Sequence, residues 1–133
     1  LLAQRDATDP LVILALAPLL IGLLFKIAAA PLHIWAPDAY EGAPAPVAAY
    51  LATASKTASF ALLLRLLAGP LAQFRAAWEP ILIFSALASL TIGSLAALTQ
   101  QSVKRLLAYS SVAHAGYLLL GVVAGNQTGL EAI

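Results

Sequence analysis

The chain has 133 residues, of which 62% are hydrophobic and only 10% charged, with a formal net charge of +1. A soluble domain carries about twice that charged share, so the excess apolar surface needs lipid as its solvent and a water-soluble globular fold is excluded. Cysteine is absent, which removes disulfides, thiolate nucleophiles and iron–sulfur ligation, and no Arg-rich patch or run of stacking aromatics points to nucleic acid.

In chain order, residues 1–9 are polar and read as a loop or the end of an earlier span. Asp9 and Pro10 then form a helix start, with an N-capping side chain before a proline at the first helical position. The first predicted span is 10–32, apolar except for Lys26; about 23 residues at 1.5 Å each can cross a ~30 Å hydrocarbon core. Pro18 and Pro31 fall inside it, and Pro31 opens a proline-rich break that runs to Pro46. Each proline removes a backbone donor, which lipid tolerates only where protein or a cavity re-satisfies the carbonyls. Trp35 and Tyr40, in the break, are expected at the membrane interface. Asp38 and Glu41 are expected in a solvated loop, with Asp38 as a cap.

The second span is 46–67. Thr53, Lys56 and Ser59 are three apart and share one of its faces, and Leu62, Leu63 and Leu66 are candidates for its lipid side. The third, 80–98, has no ionisable residue. Its Ser85, Ser89, Gly93 and Ala97 recur every fourth position, a small-residue face that lets helices approach closely. Residues 99–105 read as a turn carrying Lys104 and Arg105 as interfacial anchors. The fourth span, 106–124, holds His114 with Ser110 and Tyr117 at helical spacing, and a polar Gly-rich run from Gly125 to Gly129 ends it. The fold expected is therefore all-α and integral to the membrane: about four spans, the first broken near Pro31, forming one membrane domain over 1–133. With no methionine at all, the chain is expected to be a fragment of a larger bundle. Positive charge does not orient it, since Arg5, Arg65 and Arg75 on one side oppose Lys104 and Arg105 on the other.

Four residues stand out as candidates for moving protons: Lys26, Lys56, His33 and His114. A charge at membrane depth costs about 2.5–3.5 kcal/mol on insertion scales, so it is usually functional. Lys56 lies at mid-span, where an ammonium cannot snorkel the ~15 Å to water. Lys26 is closer to the break and can be read either as functional or as snorkelling toward it. Moving a carboxylate to or from about 8 Å changes its coupling to a lysine by about 2 kcal/mol at an effective dielectric near 20. That is enough to switch a desolvated lysine between holding and releasing its proton, which arginine cannot do. His33 and His114 are either core histidines with one hydrogen bond each or relays working through both ring nitrogens. Two histidines so far apart have no metal-ligand spacing.

Three runs carry a family resemblance: FKIAAAPLHIWAPDAYEGAPAPV at 25–47, LATASK at 51–56, and LTQQSVKRLLAYSSVAHAGY at 98–117. Together they resemble the subunit N family of the proton-pumping NADH-quinone oxidoreductase, respiratory complex I, whose mitochondrial counterpart is subunit 2. The PLHIWAPD portion at 31–38 is shared with the wider antiporter-like family, including cation/proton antiporter subunits; Lys56 within LATASK points to subunit N. The resemblance implies inverted repeats with discontinuous helices. It also implies that Lys26 pairs with a glutamate upstream of residue 1, and that Lys56 bridges toward a further lysine downstream of residue 133. His114 would belong to the same polar axis, and the turn at Lys104 and Arg105 would face the cytoplasm. By that match the chain translocates protons as part of an enzyme but does no redox chemistry itself. NADH, FMN, iron–sulfur clusters and quinone would sit in partner subunits. Its partners would be the other membrane-arm subunits and the bilayer, and its location the bacterial inner membrane as a multi-pass protein. A cation/proton antiporter subunit is the alternative.

Overall fold

The computed structural model describes residues 9–125. The predicted loop at 1–8 with Arg5, and residues 126–129 of the terminating run, lie outside them. The described residues form six α-helices: α1 (Pro10–Lys26), α2 (Trp35–Gly42), α3 (Ala45–Ala52), α4 (Ala54–Ala68), α5 (Arg75–Leu98) and α6 (Val103–Ala124). A short 3-10 turn, Ala72–Phe74, precedes α5. Three stretches are long and apolar enough to cross a membrane: Ala45–Ala68, Ala72–Leu98 and Val103–Ala124. The all-α membrane fold expected from composition is thus found, with a shorter apolar helix, α1, as the fourth member.

Asp9 caps α1 as predicted, its carboxylate accepting from the Leu11 N–H at 2.9 Å. The helix, however, stops at Lys26 rather than running to Leu32. Its 17 residues reach only about 25 Å. Pro31 cannot take helical hydrogen bonds and disfavours helix at the residue before it, so the helix must close earlier. It does so with a Schellman motif: the Ala29 N–H donates to the Leu24 carbonyl and the Ala28 N–H to that of Phe25. Ala28 takes the left-handed position at φ 57°, where glycine is usual. The Ala30–Pro31 bond is cis.

This broken segment is buried, so its backbone needs partners. Ala30 finds both on α5: its N–H donates to Ser89 Oγ and its carbonyl accepts from Ser85 Oγ, each at 2.7 Å. Both serines are almost wholly buried. Ser85 and Ser89 therefore do more than make room on a small-residue face.

The second predicted span is also divided. Between α3 and α4, Thr53 leaves helical geometry (φ −110°, ψ −81°), three residues before Lys56. Beside it, Thr53 Oγ1 donates to the Ala49 carbonyl at 2.7 Å and Thr57 Oγ1 to that of Thr53 at 3.0 Å, each a second bond to a carbonyl that also accepts a backbone N–H. The fourth helix starts earlier than expected, at Val103, so Lys104 and Arg105 belong to its first turn and not to the loop.

The core is a stripe of Val12, Leu16, Leu20 and Leu24 on α1, one per turn, packed with Phe60, Leu63, Trp78, Leu82 and Leu119 of the other helices. Leu63 is fully buried there and does not face lipid as expected; Leu62 is exposed. Helices α5 and α6 make the closest pairing. A Cβ added to Gly93 would sit 2.7 Å from the Ala113 backbone nitrogen, and one on Gly116 2.8 Å from the Ala86 carbonyl oxygen. Only glycine permits that approach.

Candidate functional site

Lys56 projects from the first turn of α4 and is 8% exposed. Its ammonium makes two hydrogen bonds, both to one residue of α6: to Ser111 Oγ at 2.6 Å and to the Ser111 carbonyl at 2.9 Å. The interruption at Thr53 lies immediately ahead of it and lines the same cleft of about 440 Å³, as do Thr57, Ser110, Ser111 and His114. The amine thus shares a cleft with hydroxyls, an imidazole and space for water, the components needed to gain or lose a proton.

His114 is on the rim of this cleft and exposed. Its Nδ1 lies 2.8 Å from the Ser110 carbonyl, which can only accept. Nδ1 therefore carries the proton, and in the neutral ring Nε2 is left as the acceptor. Tyr117 stands edge-on to the ring at 6.3 Å. Of the four sequence candidates, the structure brings Lys56 and His114 to one cleft.

Lys26 and His33 do not line it. Lys26 is the last residue of α1, exposed, at the end where unsatisfied carbonyls favour a cation. Among the described residues it has no ion-pair partner. His33 packs its ring against Tyr109 of α6, with centroids 6.3 Å apart. The Pro31 backbone lies beside that ring, yet Nδ1 is buried and completes no hydrogen bond.

The break is not a solvated loop throughout. Its residues 35–42 form α2, whose Asp38 and Glu41 are clasped by Arg105 of α6: Nη2 to Asp38 Oδ1 at 2.7 Å and Nη1 to Glu41 Oε2 at 2.9 Å. Beside it, Lys104 Nζ donates to the Glu41 and Ala43 carbonyls at the end of α2. Two cations at the start of α6 oppose its helix dipole, and this clasp offsets the cost. Lys104 and Arg105 thus clamp α2, and Asp38 pairs instead of capping. Tyr40 points inward, 4% exposed, and Trp35 is half-buried with its Nε1 donating to the Phe25 carbonyl at 3.0 Å.

Sequence reasoning missed Ser111, because Ser110 stands one full turn from His114 and drew the assignment. It also missed the pairing of Ser85 and Ser89 with Ala30. In both cases the signal, a serine on an apolar helix, reads equally well as a small packing residue.

A family model described as NADH:quinone oxidoreductase/Mrp antiporter, transmembrane, matches residues 3–133. The chain belongs to this family. Within it, similarity runs to subunit N. The chain is 61% identical over 132 residues to NADH-quinone oxidoreductase subunit N 2 of Solibacter usitatus (strain Ellin6076), covering 99% of this chain and 27% of that relative. It is 52% identical over 139 residues to subunit N 1 of Koribacter versatilis (strain Ellin345), again covering 99% and 27%. Subunit N of Desulforamulus reducens (strain ATCC BAA-1160 / DSM 100696 / MI-1) is 46% identical over 132 residues, covering 99% and 28%. The chain therefore spans about a quarter of the length of the curated relatives it matches. The resemblance to the NADH:quinone oxidoreductase/antiporter family read from the three runs agrees with these matches. In this family's chain, the discontinuous element expected from the sequence is the α1–α2 pair with its break at 27–34.

Proposed function

We propose that this chain is part of a proton-translocating membrane-arm subunit of an NADH-quinone oxidoreductase, with Lys56 as a proton-carrying group. The observation that carries this reading is the buried Lys56 amine, held by Ser111 in a hydroxyl-lined cleft with His114 at its rim. A fixed counter-charge would be met by a carboxylate, and neither hydrogen bond of Lys56 goes to one. Lysine held by neutral acceptors can exist with or without its third proton, so charge arriving from a neighbouring segment can load or unload it.

In this reading Lys26, exposed at the end of α1, meets an acidic partner from a part of the subunit beyond this stretch, and His114 passes protons between the cleft and the next segment. The role of His33 is access near the break. Electron transfer from NADH to quinone, with FMN and iron–sulfur clusters, is assigned to partner subunits; this stretch has no cysteine to ligate a cluster. The partners are the remaining membrane-arm subunits, and the location is the bacterial inner membrane, with the Lys104–Arg105 end toward the cytoplasm. The naming of the relatives as subunit N favours this over a cation/proton antiporter subunit.

The test is NADH-driven proton pumping in membranes whose full-length subunit carries Lys56→Ala, with assembly checked on native gels. Loss of pumping in an assembled complex is expected. Normal pumping would demote Lys56 to a structural residue, and exchange driven by a sodium gradient without NADH oxidation would favour the antiporter.

A further inference from the structure

Helix α3 stands apart from the rest of the bundle. None of its eight residues is buried, although it belongs to a stretch long and apolar enough to cross a membrane. Ala45, Ala48, Ala49 and Ala52 fall on one face of it, three and four residues apart, and form one wall of a cavity of about 220 Å³. Tyr40 of α2 and Lys104 and Leu107 of α6 form the other wall. Tyr40 gives its ring to this wall, since its hydroxyl is sealed inside the protein. Four alanine methyl groups are too short to close the space.

Such a lining decides what can occupy the cavity. Apolar cavities stay dry and take up apolar molecules instead of water. A further helix does not fit, because one turn about 10 Å across and 5.4 Å long fills roughly 400 Å³. An alkyl chain does. Lys104 brings charge to this lining from the first turn of α6, at the end of a membrane span. Its Nζ donates to the Glu41 and Ala43 carbonyls at 3.3 and 2.9 Å, which leaves one N–H unused. The carboxylates of this corner, Asp38 and Glu41, are both engaged by Arg105, and among the described residues Lys104 has no ion-pair partner. From Lys104 the slot runs inward along α3 to Ala52, which with Leu107 also lines the Lys56 cleft.

We propose that this slot holds one acyl chain of an anionic phospholipid, with the lipid phosphate at Lys104. The complementarity is of charge and of polarity. An ammonium without a carboxylate stands at a helix end, where headgroups lie, and an apolar slot leads from it toward mid-membrane. Basic residues at the ends of membrane helices attract anionic headgroups, and lysine suits the boundary because its stem is apolar and its tip is charged. The bound chain completes the packing of α3 against α6 that the alanines leave unfinished. It also closes the Lys56 cleft on the α3 side with methylene groups, whatever the role of Lys56.

The experiment uses assembled complexes containing the full-length subunit, reconstituted into phosphatidylcholine vesicles with a small share of phosphatidylglycerol that carries a photoactivatable diazirine in one acyl chain. After illumination the labelled peptides are mapped. Labelling concentrated on residues 40–52 and 104–107 is expected. An excess of unlabelled phosphatidylglycerol should remove most of it, while phosphatidylcholine with the same chains should not. Lys104→Gln should lose most of this labelling. Because that change also frees the end of α2, Ala48→Leu is the second variant: it fills the slot, keeps Lys104, and should lose the labelling equally. No labelling at these residues while other segments of the complex are labelled overturns the proposal and assigns the slot to another part of the subunit. Equal competition by phosphatidylcholine, or full labelling of both variants, overturns it as well, since headgroup and slot then play no part. Displacement by oleate in preference to phosphatidylglycerol overturns the phospholipid as the occupant.

Discussion

Two interruptions divide the helices of this protein, and they are handled in opposite ways. After Lys26 the chain leaves the helix for eight residues, and the gap is sealed: a Schellman motif closes α1, and Ser85 and Ser89 take up both polar groups of Ala30. At Thr53 the chain departs for one residue only, and the gap is left open to a cleft that holds a buried amine. The longer break is therefore architecture, supported from a neighbouring helix. The shorter one is local and opens on the cleft where α6 offers Ser111 to Lys56. The size of a helix interruption does not reveal whether a site lies beside it; where its hydrogen bonds go does.

The sharpest way to break this contrast is to unseal the longer gap. Replacing Ser85 and Ser89 together by alanine leaves the Ala30 N–H and carbonyl buried without partners, at about 1–3 kcal/mol each. The expected result is a large fall in the denaturant midpoint of the purified full-length subunit, with Lys56 itself untouched. A wild-type midpoint would mean that the break relaxes toward other partners.

A smaller effect is expected at the clasp. Arg105→Gln removes both ion pairs to α2, but Asp38 and Glu41 are substantially exposed. Exposed pairs contribute only about 0–1 kcal/mol, so unfolding should shift little. A midpoint shift well beyond that would make the clasp a principal tie between α2 and α6.

The smallest effect is at Ala28, whose left-handed φ of 57° suits glycine. Ala28→Gly relieves strain of about 1 kcal/mol while freeing the unfolded chain, so a net change within about 1 kcal/mol toward greater stability is expected. A clear loss in thermal melting would show that the Ala28 methyl group, fully buried, contributes more by packing than its backbone costs.

Much of the fold was legible because lipid imposes simple rules. Apolar length marked the helices, Asp9–Pro10 marked a start, and the four-residue spacing of Ser85, Ser89 and Gly93 marked a close helix contact. The boundaries were less legible. Pro31 correctly forbade a continuous helix, yet its effect reached back to Lys26, since closing a helix takes a turn of its own. Thr53 gave no warning, because threonine is tolerated within membrane helices and its departure depends on what packs around it. In the candidate site, Lys56 was identifiable as a cation too deep to reach water. Ser111 was not, since a serine in an apolar helix has many innocent explanations.

The sequence by itself determined that this is an all-α membrane chain with a lysine at mid-span, because hydrophobicity and charge cost are local, additive properties of residues. Only the tertiary structure decided which hydroxyls that lysine meets, that Arg105 clasps α2, and that two α5 serines seal the break after α1. Each of those is a contact between residues far apart in the chain, selected by how the helices pack, and no local property encodes it.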